Sequence, residues 1–143
     1  AGDDKIFKAG ELEKIVLYKG WKIMLQICYD LRFPELARNK FVFHQPKYDL
    51  LLYVANWPQR RATHWTTLLR ARAIENQCYV AGVNRVGLDG KQLSYIGNSV
   101  LIDALGNESY LTENEEEVKT FVLKAGELSE IRASLPFLKD QSC

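Results

Sequence analysis

The sequence predicts an α/β fold built on a mixed β-sheet, and three stretches carry that reading. Leu50-Leu51-Leu52-Tyr53-Val54-Ala55 is an almost continuous apolar run, the pattern of a strand covered on both faces. From Arg61 to Gln77 the apolar residues Trp65, Leu68, Leu69, Ala73 and Ile74 recur at helical spacing, with Arg70, Arg72 and Glu75 between them. Ahead of both, Glu13 to Tyr18 and Trp21 to Cys28 are β-forming segments joined by Lys19-Gly20, which predicts a hairpin. Strand and helix signals alternate along the chain with no internal repeat or low-complexity linker, as one α/β domain requires.

The remaining elements follow in order. Pro34 suits the first turn of a helix running through Glu35, Leu36 and Ala37 to about Asn39, which leaves Cys28 on a strand-to-helix turn. His44 to Lys47 contains Pro46 and reads as loop. The apolar strand stops at Asn56-Trp57-Pro58. Beyond the long helix, Cys78 to Val83 is a further strand, Gly87 to Gly90 is turn material, and Ser99 to Ala104 is a strand closed by Leu105-Gly106-Asn107. The acidic run Glu113 to Glu117 reads as a solvated loop or strand edge. A last strand is expected over Val118 to Leu123 and a short helix over Leu128 to Ala133, after Gly126.

Composition narrows the class of function. The 143 residues, 47% of them hydrophobic, suffice for one domain with its own core. Lys and Arg number 19 against 18 Asp and Glu, so no global field draws the chain to nucleic acid or an anionic membrane, and a small neutral or modestly charged partner fits better. Cys28, Cys78 and Cys143 are odd in number and widely spaced, which argues for a reducing compartment and a cytoplasmic protein. Together with His44 and His64 they lack any paired ligand spacing, so no metal is expected. No window approaches the roughly 18 apolar residues of a spanning helix, and the N-terminus has no signal-peptide pattern. The chain opens on Ala1 rather than Met, and we read it as part of a longer protein.

A cysteine at the carboxyl end of a buried strand, with a helix starting directly after it, stands where α/β proteins place reacting groups. Backbone N–H groups there can lower a thiol pKa or hold an oxyanion. An isolated cysteine in such a place is more often a small core residue. The wording around this one is specific: Ile27-Cys28-Tyr29-Asp30-Leu31-Arg32-Phe33-Pro34-Glu35 resembles the nucleophile segment of the nitrilase superfamily of carbon-nitrogen hydrolases. The resemblance continues through Tyr53-Val54-Ala55-Asn56-Trp57-Pro58, His64-Trp65, Leu69-Arg70-Ala71-Arg72-Ala73-Ile74-Glu75-Asn76 and Gly97-Asn98-Ser99, and so covers nearly the whole chain. Asn56-Trp57-Pro58 and Asn84-Arg85-Val86-Gly87 are most similar to the bacterial omega-amidase branch.

That resemblance implies a four-layer α-β-β-α sandwich, of which residues 1–143 form the C-terminal part, and a homodimer or higher homo-oligomer. It implies amide hydrolysis through a cysteine thioester with no cofactor, on a small omega-amide such as 2-oxoglutaramate. Of the family's cysteine, lysine and glutamate only the cysteine has a match, at Cys28. The other two fall before Ala1, and neither Lys5 nor Lys8 replaces the lysine. A supporting glutamate matches Asp3, one methylene shorter. The backbone N–H of Tyr29 is the expected oxyanion donor. From their place after the buried strand, at the same edge as Cys28, Asn56 and Trp57 are expected to line the substrate pocket, with core packing the equal alternative for Trp57. The Trp57 indole N–H is a donor candidate for a substrate carboxylate, and Arg60 or Arg61 a source of charge. Arg32 and Glu35 are expected to brace the turn as an i,i+3 ion pair, and His64 to be an ordinary helix residue beside Trp65. Two readings stand beside this one: another amidase or N-carbamoyl amidase of the superfamily, and a non-catalytic binding segment, since two of the three catalytic residues have no match.

Overall fold

The computed structural model describes residues 8, 10 and 12–141, with residues 110–112 described by their backbone alone. Asp3, Lys5 and Cys143 lie outside the described residues. The hairpin forms as its sequence predicts: β1 (Lys14–Tyr18) runs antiparallel to β2 (Trp21–Ile27), with Tyr18 opposite Trp21. Lys19 and Gly20 both take positive φ, 47° and 84°, as a tight turn between right-twisted strands demands.

β3 (Phe41–Val42) and β4 (Gln45–Pro46) make a two-rung hairpin of their own, turned by Phe43 and His44 at positive φ. This corrects the loop expected over His44 to Lys47: Pro46 pairs with Phe41 in an isolated two-stranded ladder, where its missing N–H costs little.

The apolar run forms β5 (Leu50–Ala55), parallel to β2 on one side and to β6 (Tyr79–Asn84) on the other. The crossover between β5 and β6 is the helix α1 (Ala62–Asn76), which ends where Gln77 turns left-handed. β7 (Val86–Leu88) and β8 (Ser94–Ile102) follow, and β8 runs antiparallel to β6, β7 and β9 (Glu108–Glu113). The main sheet is therefore mixed, in the order β1-β2-β5-β6-β8-β7, with β9 on β8. β7 occupies part of the expected Gly87–Gly90 turn, because its register brings Val86 opposite Ile96.

One face of the sheet is covered. Met24, Leu51, Tyr53, Val80, Val100 and Ile102 point to α1 and pack against Trp65, Leu69 and Ala73. The alternate residues of the same strands, Leu25, Ile27, Val54 and Val83, are apolar and exposed on the opposite face. Only the end of that face near Leu50 is closed, where α2 (Ala125–Ser134) buries Leu128 against Tyr79 and Ala104. Arg132 pins α2 by donating to Asp49 Oδ1 at 2.8 Å, the Tyr48 carbonyl at 2.9 Å and the Gln77 carbonyl at 2.9 Å. The strand expected over Val118 to Leu123 does not form. That segment crosses the open face instead of joining a sheet edge, and its Phe121 and Leu123 line a cleft of about 870 Å³ over Leu50, Ala81 and Leu101.

Candidate active site

Three parallel strands end side by side, and the residues at their carboxyl ends are the ones the motifs contain. Cys28 follows β2, Asn56 follows β5 and Asn84 closes β6, in a register that sets Ile27 beside Val54 and Ala55 beside Asn84. In open α/β sheets this edge is where ligands bind.

Cys28 opens a 3-10 turn, Cys28–Arg32, at φ 39°, a region that a non-glycine residue occupies only at a cost of order 1–3 kcal/mol and that functional sites hold by their surroundings. The turn is tied at both ends: Ile27 N–H donates to Asp30 Oδ2 at 2.9 Å, and Phe33 N–H to the Asp30 carbonyl at 3.0 Å. The expected helix after it shortens to a second 3-10 turn, Pro34–Ala37. Cys28 is half-buried against the core, with its sulfur 4.0 Å from the Asn56 carbonyl oxygen. Tyr29 is 65% exposed and sets its ring edge-on to Phe33 at 5.2 Å, so its side chain points outward and its N–H belongs to the unpaired first turn.

The Asn56-Trp57-Pro58 loop is clamped from β6. The Asn84 side chain accepts from Trp57 N–H at 2.7 Å and donates to the carbonyls of Trp57 at 3.0 Å and Gly97 at 2.7 Å. Its backbone exchanges two hydrogen bonds with the Ser99 hydroxyl, at 3.0 and 3.2 Å. Asn56 itself is exposed and lines the end of the cleft, beside Asn84 and Arg85; Cys28 is not among the residues that line it.

Two expectations are corrected here. Trp57 is 4% exposed, packs on Trp65 at 5.5 Å, and donates its indole N–H to the Arg61 carbonyl at 2.7 Å, so that N–H is not offered to a ligand. Arg32 does not pair with Glu35; its guanidinium lies 4.7 Å over the Trp57 ring, because an indole face attracts a half-buried cation while Glu35 remains in water. Among the described residues, three cysteine, histidine or carboxylate side chains are nowhere gathered as metal ligands. His64 is exposed on α1, and burial pushes the Cys78 thiol well above the usual range, which leaves Cys28 as the accessible described thiol. Asn84 and Arg72 emerge as supports that the sequence named within motifs without a role. Their signal was a polar residue fixed in a strand end or a helix face that packs inward.

Residues 3–133 match the carbon-nitrogen hydrolase family. The chain is 58% identical over 106 residues to the omega-amidase YafV of Yersinia enterocolitica, covering 74% of this chain and 40% of that protein. It is 36% identical over 144 residues to the 2-oxoglutaramate amidase of Paenarthrobacter nicotinovorans, covering 98% and 48%. The crystal structure of XC1258 from Xanthomonas campestris, a CN-hydrolase superfamily protein with an arsenic adduct in its active site, superposes with a TM-score of 0.95 at 48% identity, over 99% of this chain and 55% of that one. The chain thus spans about half the length of the relatives it matches.

Proposed function

Since the chain belongs to the carbon-nitrogen hydrolase family, we propose that it is the nucleophile-bearing, C-terminal part of an omega-amidase acting on a small 2-oxo acid amide such as 2-oxoglutaramate. The observation that carries this is Cys28: a strained, half-buried thiol at the carboxyl end of a parallel strand, backed by the Asn56 carbonyl at 4.0 Å. The reaction is acyl transfer. The Cys28 sulfur attacks the amide carbonyl, the tetrahedral intermediate expels ammonia, and water hydrolyses the thioester to the acid. The backbone N–H of Tyr29 is suited to hold the oxyanion, since it is fixed by the turn and independent of the outward-pointing side chain. Asn56 is an exposed polar side chain at this edge and serves substrate binding; Trp57 serves by holding Arg32 and the loop in place.

Among the described residues the Cys28 sulfur has the Asn56 carbonyl as its hydrogen-bond partner and no carboxylate or lysine. The general base and the cationic oxyanion partner therefore come from elsewhere in the protein, and the exposed apolar face of Leu25, Ile27, Val54 and Val83 is the surface on which further chain would pack. The reading includes a cytoplasmic homodimer without cofactor. No helix among the described residues is long and apolar enough to cross a membrane.

The test compares kcat/KM of the full-length protein on 2-oxoglutaramate, 2-oxosuccinamate, a simple nitrile and an N-carbamoyl amino acid, with Cys28→Ala and Cys78→Ala alongside. The two 2-oxo amides should lead, Cys28→Ala should abolish turnover and Cys78→Ala should keep most of it. Fastest turnover of the nitrile or carbamoyl compound discards the omega-amidase reading, and turnover by Cys28→Ala discards the nucleophile.

A further inference from the structure

Besides the Arg32 contact with Trp57 and the burial of Leu31 in the core, the Cys28–Arg32 turn is held by a charged hydrogen bond from α1. Arg72, on α1, is 4% exposed and donates from Nη2 to the Leu31 carbonyl at 2.8 Å, while its Nη1 donates to Glu75 Oε1 at 2.8 Å. The Leu31 carbonyl is buried and has no backbone partner to turn to. The chain swings into extended conformation at Phe33 (φ −114°, ψ 93°), and the residue three places on is Pro34, which has no N–H. A charged donor on a buried orphan carbonyl is among the stronger neutral-acceptor hydrogen bonds, and its removal leaves the acceptor unsatisfied.

The position of this bond matters more than its strength. Cys28 sits at φ 39°, and a residue in that region holds its direction only while neighbours over-determine it. The Ile27–Asp30 bond ties the turn to the end of β2 and the Phe33–Asp30 bond closes the turn on itself, but neither fixes it relative to α1. Arg72 does, because Glu75 one turn along the same helix holds its guanidinium in place.

We infer that Arg72 is a positioning residue for catalysis: by tying the Leu31 carbonyl to α1, it aims the Cys28 sulfur and the Tyr29 N–H at the same substrate carbonyl. This rests on the reading of Cys28 as nucleophile. Arg72 touches no reacting atom, so its loss should spare the reactivity of the thiol toward a small reagent while spoiling the aligned attack that turnover requires.

The experiment uses the full-length protein as wild type, Arg72→Met, Arg72→Lys and Cys28→Ala, each kept well below its own melting temperature. Two rates are read per folded molecule: kcat and KM on 2-oxoglutaramate, and alkylation of Cys28 by iodoacetamide, followed by peptide mass. Arg72→Met should lower kcat about 100-fold with KM held within about twofold, and alkylation should stay within about threefold of wild type. Arg72→Lys should recover part of kcat, since an ammonium can reach the carbonyl but cannot hold Glu75 in the same fork. Unchanged kcat in Arg72→Met, or kcat and alkylation falling together, overturns the positioning role. If Arg72→Met does not fold, Arg72→Lys decides alone: wild-type kcat overturns the inference, and a selective fall in kcat upholds it. Turnover by Cys28→Ala would sink the nucleophile reading and this inference with it, whereas an inactive Cys28→Ala beside fully active Arg72 variants sinks the inference only.

Discussion

Replacing Asn84 tests whether the loop beside Cys28 is held by one side chain. Its amide makes three hydrogen bonds, to Trp57 N–H, the Trp57 carbonyl and the Gly97 carbonyl. At about 1 kcal/mol each, Asn84→Ala would lose about 3 kcal/mol, and because the residue is half-buried, water restores part of this and about 2 kcal/mol remains. For a domain of ordinary enzyme size that is a fall of about 4–8 °C in Tm. The loop it releases carries Asn56, whose carbonyl lies beside the Cys28 sulfur, so kcat/KM should fall about tenfold. Asn84→Asp is the sharper variant. It keeps the acceptor for Trp57 N–H but turns two donations at 3.0 and 2.7 Å into oxygen facing oxygen, so it should be less stable than Asn84→Ala despite its closer shape. Differential scanning calorimetry and steady-state kinetics measure both. An Asp variant as stable as wild type, or an Ala variant with unchanged Tm and kcat/KM, would refute the clamp.

Gly82 faces α1 so closely that an added Cβ would stand 2.4 Å from Leu69 Cδ1 and 2.9 Å from Trp65 Cζ2, both on fully buried side chains; Gly82→Ala should cost about 1–3 kcal/mol in urea melts, and a neutral outcome would show that the sheet and helix slide apart freely. Iodoacetamide at about pH 8 should label Cys28 in the folded protein and reach Cys78 only on unfolding, because the buried Cys78 thiol resists ionisation; peptide mass after a short pulse settles it. Hydrogen bonds from Leu93 N–H, Lys91 N–H and the Tyr95 hydroxyl hold the Asp89 carboxyl below its ordinary value of 3.8. A depressed carboxylate contributes stability that is fully present above that ordinary value and is lost as pH falls through the lower folded one. The stability gap between wild type and Asp89→Ala should therefore close on acidification, and a gap that widens there contradicts the assignment.

The sequence by itself determined most of the elements and the place of Cys28 after a strand end. Leu50–Ala55, the helix from Ala62 to Asn76 and the Lys19-Gly20 hairpin were legible because burial on two faces, on one stripe, or around a two-residue turn each leaves a local period. Val118–Leu123 misled for the same reason: its apolar composition marks contact with a sheet, and composition does not distinguish lying across a face from pairing at an edge. β9 was not legible because Glu108-Ser109-Tyr110-Leu111-Thr112-Glu113 sets its two apolar residues side by side between polar ones, with neither alternation nor an apolar run.

What only the tertiary structure decided is which polar atoms are already spent. From the sequence, Trp57 is a donor candidate near the motif cysteine, Arg32 a partner for Glu35, and Arg72 one of the polar residues on the long helix. Folding commits the Trp57 indole to Arg61, lays Arg32 on the Trp57 ring and sets Arg72 beneath Leu31, a residue 41 positions away. Cys28, Asn56 and Asn84 meet because parallel strands bring their carboxyl ends to one edge, and that depends on strand register. Hydrogen bonds are short and directional, so their partners are fixed only when distant segments arrive within about 3 Å, a constraint that no local pattern of residues encodes.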